Sequence, residues 1–233
     1  MSNQLEAINQ DFEETFHLVF QKPELVQSTL KHRSKEFDRI ITKEFKRLGL
    51  DNDFAIIALG GYGRNELFPG SDIDLSIVQF EKNTKKIEEV RDFIGWLWTL
   101  NVKIGHSVRT IKDIKKITRA DLKEFTSYLS NRIIYCPVQK KAQLRNALNS
   151  LSTGWTKSKF FKAKKLEQSS RFSSFDSTEF NLEPDLKESP GCLRDFQTAL
   201  WILEHCFEAS SLADCEKLHL FNKQDIKDIN QSY

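Results

Sequence analysis

The chain has 233 residues, of which 39% are hydrophobic and 29% are charged, so it is long enough to bury a core in one or two domains. Its formal net charge of +2 is close to neutral and argues against nucleic acid as a partner. It has no run of about 18 apolar residues, and its first residues are polar and acidic, which predicts a cytoplasmic protein that does not contact a membrane.

The first part of the chain predicts a helix followed by strand, glycine loop and strand. Apolar residues recur on one helical face over residues 23–48, and Gly49 follows where a helix C-cap would lie. The continuous apolar run Phe54–Leu59 predicts a strand buried on both faces. A turn-rich loop over residues 60–71 then leads into a second strand over residues 72–80.

The remaining elements are predicted to be mainly helical. Three- and four-residue apolar spacing predicts a helix over residues 85–100, alternation predicts a third strand over 101–110, and another helix is predicted over 112–135. Beyond Pro137 the pattern is helical and more polar, and its Ser/Thr/Lys-rich stretch at 152–178 leaves room for a loop or mobile segment. One last helix is predicted to present a single apolar face, formed by Leu193, Phe196, Leu200, Leu203 and Phe207.

Two aspartates, Asp72 and Asp74, are placed to act together. On a strand, alternate side chains point to the same face about 6.6 to 7 Å apart, while Ile73 and Leu75 would anchor the other face. Two carboxylates held in this way repel each other unless a cation lies between them, and Mg²⁺ prefers such oxygen ligands. The pair is therefore a candidate metal site and catalytic centre.

The glycine loop just before them is a candidate phosphate site. Gly60, Gly61 and Gly63 allow backbone N–H groups to approach a triphosphate without a Cβ in the way, and Arg64 adds a cation. A glycine turn alone or an Asp-x-Asp pair alone is common in proteins of many functions. Their combination, with an apolar strand on each side, indicates adjacent phosphate and metal sites.

Three stretches of the chain carry a family resemblance, namely GGYGRNELFPGSDIDL, KIGHSVRTIKDIKKITRADL and NLEPDLKESPGCLRDFQTALWI. The first resembles the polymerase-β-like nucleotidyltransferase superfamily. All three together, in this order, resemble the bacterial PII uridylyltransferase/uridylyl-removing enzymes. The resemblance implies an α+β fold, in which a small mixed sheet flanked by helices is followed by a mainly helical segment. The expected domains are N-terminal helices at 1–50, the nucleotidyltransferase core at 51–136 and a truncated helical region at 137–233.

The resemblance also implies a reaction, in which UMP passes from UTP to a tyrosine hydroxyl of the nitrogen-regulatory PII protein and pyrophosphate is released. The resemblance implies that Asp72 and Asp74 hold Mg²⁺. The residues expected to bind the nucleotide phosphates are Gly60, Gly61, Gly63, Arg64, Ser71 and Arg109.

The sequence departs from the family in several places. Many superfamily members carry a third carboxylate on a later strand, where residues 101–110 offer Ser107 and Arg109 instead.

His106 on the same predicted strand has two interpretations. It is either functional, as a metal ligand or a base, or it is a structural residue. The turn Pro190-Gly191-Cys192 has one glycine where the family has two. The acidic and basic residues around this turn predict a helix start with surface ion pairs, whereas the resemblance implies a segment packed beside the nucleotide site.

The family enzymes continue into an HD-type phosphohydrolase domain and paired ACT domains, whereas this sequence contains no adjacent His-Asp pair. Uridylyl removal and glutamine sensing are therefore not expected here. Two alternatives to PII uridylylation stay open at this stage: a truncated, inactive remnant that binds nucleotide or PII, and a nucleotidyltransferase with another acceptor.

Overall fold

The computed structural model describes residues 22–81, 86–100, 102–176, 185–209 and 212–232. The chain divides into two compact units, Met1–Leu151 and Ser152–Tyr233. Residues 137–151, which the sequence analysis grouped with the helical region, belong to the first unit. Part of the predicted N-terminal helical domain, residues 1–21, lies outside the described residues. No helix within the described ranges is long and apolar enough to cross a membrane.

A four-stranded mixed sheet forms the centre of the first unit. Its strands are β1 (Phe54–Leu59), β2 (Ile73–Gln79), β3 (Ile104–Thr110) and β4 (Arg132–Tyr135), in the spatial order β3-β2-β1-β4. β1 is antiparallel to both of its neighbours, whereas β2 and β3 are parallel. This arrangement confirms the predicted α+β class with a small mixed sheet flanked by helices.

Two amphipathic helices, α1 (Val26–Arg47) and α3 (Ile87–Trp98), cover one face of the sheet. Phe45 and Phe93 meet edge to face at 5.2 Å over the strand residues of this core. Gly49 has a φ of 66° and follows Leu48, the C-cap residue of α1, which confirms the predicted glycine at the end of this helix. The core on this side consists of Phe37, Ile41, Phe45, Phe54, Ile56, Ala58, Ile73, Leu75, Ile77, Val90, Phe93 and Leu97 together with neighbouring residues.

The opposite face of the sheet carries α4 (Ile111–Ala120) and α5 (Leu122–Leu129). The buried hydroxyls of Ser76 and Tyr128 lie 2.7 Å apart and join β2 to α5. The predicted single helix over residues 112–135 was wrong, because Asp121 interrupts it. Its backbone is extended, and its side chain accepts a hydrogen bond from the Glu124 N–H at 2.9 Å, so it ends α4 and caps α5.

β4 follows α5 and was not predicted. Its sequence RIIY pairs antiparallel with β1, whose residues are buried along their full length. The Tyr135 hydroxyl donates to the Asp51 carbonyl oxygen at 3.0 Å and fixes the far end of β4. Four apolar and basic residues next to a helix carry no two-residue period long enough to indicate a strand, so its partner strand decides the conformation.

The Ser/Thr/Lys-rich stretch of the second unit forms a long helix, in keeping with the helical pattern predicted beyond Pro137, and the possible loop or mobile segment is not seen within residues 157–176. Helix α7 spans Lys157–Asp176, and it follows α6 (Lys141–Asn149) of the first unit. Phe160 and Lys164 of α7 are buried, and the Lys164 ammonium lies 4.4 Å from the centre of the Trp201 ring. The Lys164 stem packs on apolar surface, so the polar composition of this stretch is compatible with a packed helix. Short 3-10 turns occur at Pro23–Leu25, Val138–Lys140 and Ser150–Gly154.

Helix α8 (Leu193–Phe207) confirms the last predicted helix, but its most buried face differs from the predicted one. The buried positions are Gln197, Thr198, Trp201 and His205, while Phe207 is exposed. The face turns this way because the His205 ring packs edge-on against Phe160 of α7 at 4.7 Å. Two short helices follow, α9 (Leu212–Lys217) and α10 (Lys223–Ser232).

The turn before α8 carries ion pairs of the kind that its mixed charge predicted. Arg194 contacts Glu188 at 2.8 Å, and Arg171 of α7 binds Asp195. Glu183, part of the same family stretch, lies outside the described residues. The predicted packing of this turn beside a nucleotide site stays a prediction.

Candidate functional site

The carboxylate of Asp74 lies in a gap between two glycines. Asp74 is the second residue of β2, where the sheet register places it between Leu59 of β1 and Gly105 of β3. Its Oδ2 atom lies 3.4 Å from the position that a Cβ on Gly60 would occupy. A Cβ on Gly105 would lie less than 3.0 Å from the Asp74 Oδ1 atom, which is closer than Cβ atoms approach other atoms in proteins. Only a residue without a side chain leaves room for the carboxylate on the β3 side.

The glycine loop begins with a single helical turn, α2 (Gly60–Gly63), directly at the end of β1. Gly60 has a φ of 56°, a conformation that glycine adopts at no steric cost, and it places the turn beside Asp74. The Arg64 and Glu66 N–H groups close the turn onto the carbonyl oxygens of Gly60 and Gly61 at 3.1 and 2.9 Å. The two halves of the predicted site, glycine turn and carboxylate, are therefore adjacent.

Asp72 precedes the first residue of β2 and is exposed. The Ile73 N–H donates to the Lys103 carbonyl oxygen at 2.8 Å, so the pairing of β2 with β3 begins directly after Asp72. Strand alternation, extended back from β2, gives Asp72 the same side as Asp74. Two carboxylates beside a glycine turn offer the oxygen ligands that Mg²⁺ prefers, so the chemistry of these side chains fits a magnesium ion.

A third acidic ligand is not supplied by β3. The residues of β3 on the Asp74 side are Gly105, Ser107 and Arg109, and Gly105 is the direct neighbour of Asp74. Over the described ranges, no group of three or more His, Cys, Asp or Glu residues is arranged to hold a metal ion. The sequence had already indicated that the third strand carries no acid, and the register shows that a glycine occupies the neighbouring position.

Arg64 lies at the glycine turn but already has protein partners. Its Nε donates to Glu66 at 2.7 Å, its Nη1 donates to the Ser130 hydroxyl at 3.2 Å, and its side chain is 20% exposed. Its Nη2 lies 3.9 Å from the Cβ position of Gly61, so the guanidinium borders the turn. Ser71 is half-buried and its N–H donates to the Phe68 carbonyl oxygen at 3.0 Å. Phosphate binding by both residues stays a prediction.

Two family models match different parts of the chain. Residues 38–136 match the family model described as a nucleotidyltransferase domain, and residues 159–233 match the model described as GlnD PII-uridylyltransferase. A bifunctional uridylyltransferase/uridylyl-removing enzyme from Hydrogenovibrio crunogenus is 34% identical over 97% of this chain and 26% of its own length. The protein of the same name from Pseudoalteromonas translucida is 39% identical over 81% of this chain and 22% of its own length.

The chain therefore contains a nucleotidyltransferase domain, and its curated relatives are uridylyltransferase/uridylyl-removing enzymes. The nucleotidyltransferase domain lies in the first unit, and the residues that match the GlnD PII-uridylyltransferase model lie in the second unit. The chain spans about a quarter of the length of the curated relatives it matches.

Arg109, which the sequence analysis expected at the phosphates, forms a bidentate ion pair in the structure. Its Nη1 and Nη2 donate to the two carboxylate oxygens of Glu124 at 2.6 and 2.7 Å. Hydrogen bonding to Glu124 raises the pKa of Arg109 above its ordinary value. Arg109 also lies four residues along β3 from Gly105, roughly 13 Å by the rise of a strand. The geometry favours a role in fastening α5 to the sheet, while phosphate binding by Arg109 stays a prediction.

His106 lies on the other side of the sheet from Asp74. Its ring meets Trp98 of α3 edge-on at 5.8 Å, and alternation along β3 separates it from Gly105 and Ser107. Of the two roles considered from the sequence, the structural one fits this position.

Four residues around the glycine turn were missed by the sequence analysis. Gly105 belongs to the GHSVRT stretch that carried the family resemblance, so a signal was present, but the role of its missing Cβ appears only with the register. Asp38, Tyr62 and Arg132 form one hydrogen-bonded group that connects the turn, through Tyr62, to α1 and β4. They are spread over three elements, and no motif spacing connects them.

Proposed function

We propose that this chain transfers UMP from UTP to a tyrosine hydroxyl of the nitrogen-regulatory PII protein and releases pyrophosphate. The observation that carries the proposal is the Asp74 carboxylate, which lies between Gly60 and Gly105 beside the first residue of the glycine turn. The names of the relatives, uridylyltransferase/uridylyl-removing enzymes, support UMP as the transferred group. The description of the family matched at residues 159–233 supports PII as the acceptor.

In this reaction the tyrosine oxygen forms a bond to the α-phosphorus of UTP. The bond from that phosphorus to the oxygen that bridges to the β-phosphate breaks, and pyrophosphate leaves with the electron pair. The hydroxyl proton passes to solvent or to a nearby base. The protein has to hold three things in line: the acceptor oxygen, the α-phosphorus and the leaving group.

Asp72 and Asp74 would hold Mg²⁺, and the confined position of Asp74 fixes one of the two ligands. When bound, Mg²⁺ supplies positive charge that neutralises phosphate oxygens and polarises the α-phosphate. The backbone N–H groups of the turn Gly60–Gly63 would face the β- and γ-phosphates. Arg64, at the edge of the same turn, would add a charge-assisted hydrogen bond.

Incorporation of labelled UMP from UTP into purified PII, with and without Mg²⁺, tests the proposal. Asp74→Asn and Asp72→Asn keep the size of each side chain but remove its charge. Loss of one ligand is expected to slow transfer roughly 10²- to 10⁴-fold, corresponding to several kcal/mol of transition-state stabilisation. The matched control is Asp92→Asn on α3, where the exposed carboxylate lies on a helix that packs on the opposite face of the sheet.

The same assay separates this proposal from the two alternatives. Labelling of PII by the double variant Asp72→Asn/Asp74→Asn at the wild-type rate would remove these carboxylates from the mechanism. Calorimetric binding of Mg²⁺–UTP without any product over hours would indicate a binding remnant. Transfer in the presence of another acceptor, but not to PII, would assign the chain to a different substrate.

A further inference from the structure

Tyr62 anchors the middle of the glycine turn in the core of the first unit. It stands between Gly61 and Gly63 and is fully buried. Its hydroxyl donates to Asp38 Oδ1 at 2.6 Å, so the turn is tied to helix α1. Burial, aided by the Asp38 carboxylate, raises the pKa of Tyr62 well above its usual range, so the hydroxyl remains a donor.

Arg132, the first residue of β4, completes the group from the other side. Both of its terminal nitrogens donate to the Asp38 carboxylate, one of them to Oδ1 at 3.1 Å. The Nη2 atom also donates to the Tyr62 carbonyl oxygen at 3.2 Å, and the guanidinium lies 5.2 Å from the centre of the Tyr62 ring. Arg132 therefore binds both the main chain of the turn and the carboxylate that holds its side chain.

The C-terminal end of the turn is fixed by direct backbone packing. A Cβ on Gly63 would overlap the Ser130 carbonyl oxygen and would come within 3.0 Å of the Ala58 carbonyl oxygen. The turn therefore lies against the segment that leads into β4, and Arg132 follows two residues later. Contacts from α1 and β4, added to this packing, leave a three-glycine segment little freedom to move.

We propose that Asp38, Tyr62 and Arg132 are positioning residues for the transfer reaction, holding the glycine turn so that Gly60 stays beside the Asp74 carboxylate. This inference rests on the proposed function. Glycine loses more conformational freedom on folding than any other residue, so a turn of three glycines needs outside contacts to keep its N–H groups in one arrangement. A bidentate arginine–carboxylate pair is well suited to this task because its geometry is fixed as well as its charge.

The test compares conservative variants of the network with a matched tyrosine variant elsewhere. Tyr62→Phe removes only the hydroxyl, and Arg132→Lys keeps the charge but loses the fork. Tyr135→Phe is the control, since its hydroxyl bonds the Asp51 carbonyl at the other end of β4. Three quantities are measured for each variant of this chain: the affinity for Mg²⁺–UTP by calorimetry well below the melting temperature, the thermal midpoint, and the amide exchange rate of residues 61–64.

Both network variants are expected to weaken Mg²⁺–UTP binding by about 10- to 100-fold, the usual loss when a partner that orients a ligand-binding group is removed. Amide exchange in the turn should accelerate in the same variants and stay at the wild-type rate in Tyr135→Phe. Wild-type affinity and wild-type exchange in Tyr62→Phe and Arg132→Lys, with only a lower thermal midpoint, would overturn the inference and leave a structural network.

The two proposals fail in different ways. If the wild-type chain binds no UTP, the proposed function fails, whereas the exchange measurement still decides whether the network holds the turn. Equal exchange rates in Tyr62→Phe and Tyr135→Phe would then overturn the inference. If the wild type binds UTP but transfers no UMP to PII, the affinity comparison applies unchanged.

Discussion

Gly105→Ala is expected to disable the site with little effect on the fold. Gly105 does not have a positive φ, so alanine fits its backbone, and replacing glycine inside a strand gains about 0.5–1 kcal/mol in conformational entropy. The new methyl group would overlap Asp74 Oδ1, the end of a rotatable side chain. Rotating that carboxylate away costs roughly 0.5–1.5 kcal/mol, so the net change in unfolding free energy should stay within about 1 kcal/mol of zero.

The functional effect follows from the size of the displacement. Asp74 Oδ1 has to move by roughly 1 Å to reach ordinary contact with a Cβ, and a 1 Å misplacement at a reacting centre costs on the order of 10²-fold in rate. Mg²⁺-dependent transfer of labelled UMP to PII measures this loss, and urea unfolding measures stability in parallel. Gly95→Ala on α3 is the matched control, because no atom lies within 4 Å of its Cβ position.

Two results would refute this reasoning. Wild-type transfer in Gly105→Ala would show that the confined carboxylate does not set the activity. A loss of several kcal/mol in unfolding free energy would show that the position matters for packing, and the fall in activity would then carry no information about the metal site.

Two further predictions concern stability. Gly63→Ala should lower the unfolding free energy by about 1–3 kcal/mol in urea unfolding, because its Cβ would overlap the Ser130 carbonyl oxygen, a backbone atom that cannot rotate away; stability equal to that of wild type would contradict this. Burial lowers the pKa of His205 below its ordinary 6.5, so on acidification the unfolded chain takes up the proton before the folded chain does. The unfolding free energy should therefore be fully present above pH 6.5 and should fall as the pH drops below 6.5. Thermal unfolding at about pH 7.5 and about pH 5.5 checks the direction, and a pH dependence as large in His205→Gln as in wild type would assign the effect to other groups.

The sequence was sufficient to predict most of the sheet and its covering helices. The run Phe54–Leu59 is apolar at every position because β1 is a central strand buried on both faces, a pattern that few other elements produce. Gly49 after α1 was equally informative, since its φ of 66° ends the helix where the apolar period stops. Both signals come from neighbouring residues in the sequence, and the burial of β1 and of one face of α1 agrees with them.

The errors arose where distant contacts decide the local conformation. RIIY contains β-forming residues but is too short to indicate a strand by itself, and β4 exists through its pairing with β1, more than seventy residues earlier in the chain. Helix α7 has a polar composition, and its buried Lys164 is tolerated only because Trp201 and Glu167 lie beside it. For β4, the partner strand is far away in the sequence. For α7, the contact with Trp201 is made by a lysine side chain, which a count of composition treats as polar.

The same limit applies to the candidate site and changes how its two aspartates are understood. From the sequence, Asp72 and Asp74 are equivalent members of an Asp-x-Asp pair. In the structure Asp74 is enclosed by Gly60 and Gly105, whereas Asp72 is exposed before the strand begins. A carboxylate whose place is set by its neighbours loses little freedom when it binds a cation, while an exposed one has to be ordered by the ligand. Asp74 is therefore the residue around which the glycine turn and the β3 glycine are arranged, and Asp72 is expected to take its final position only when metal and nucleotide are bound.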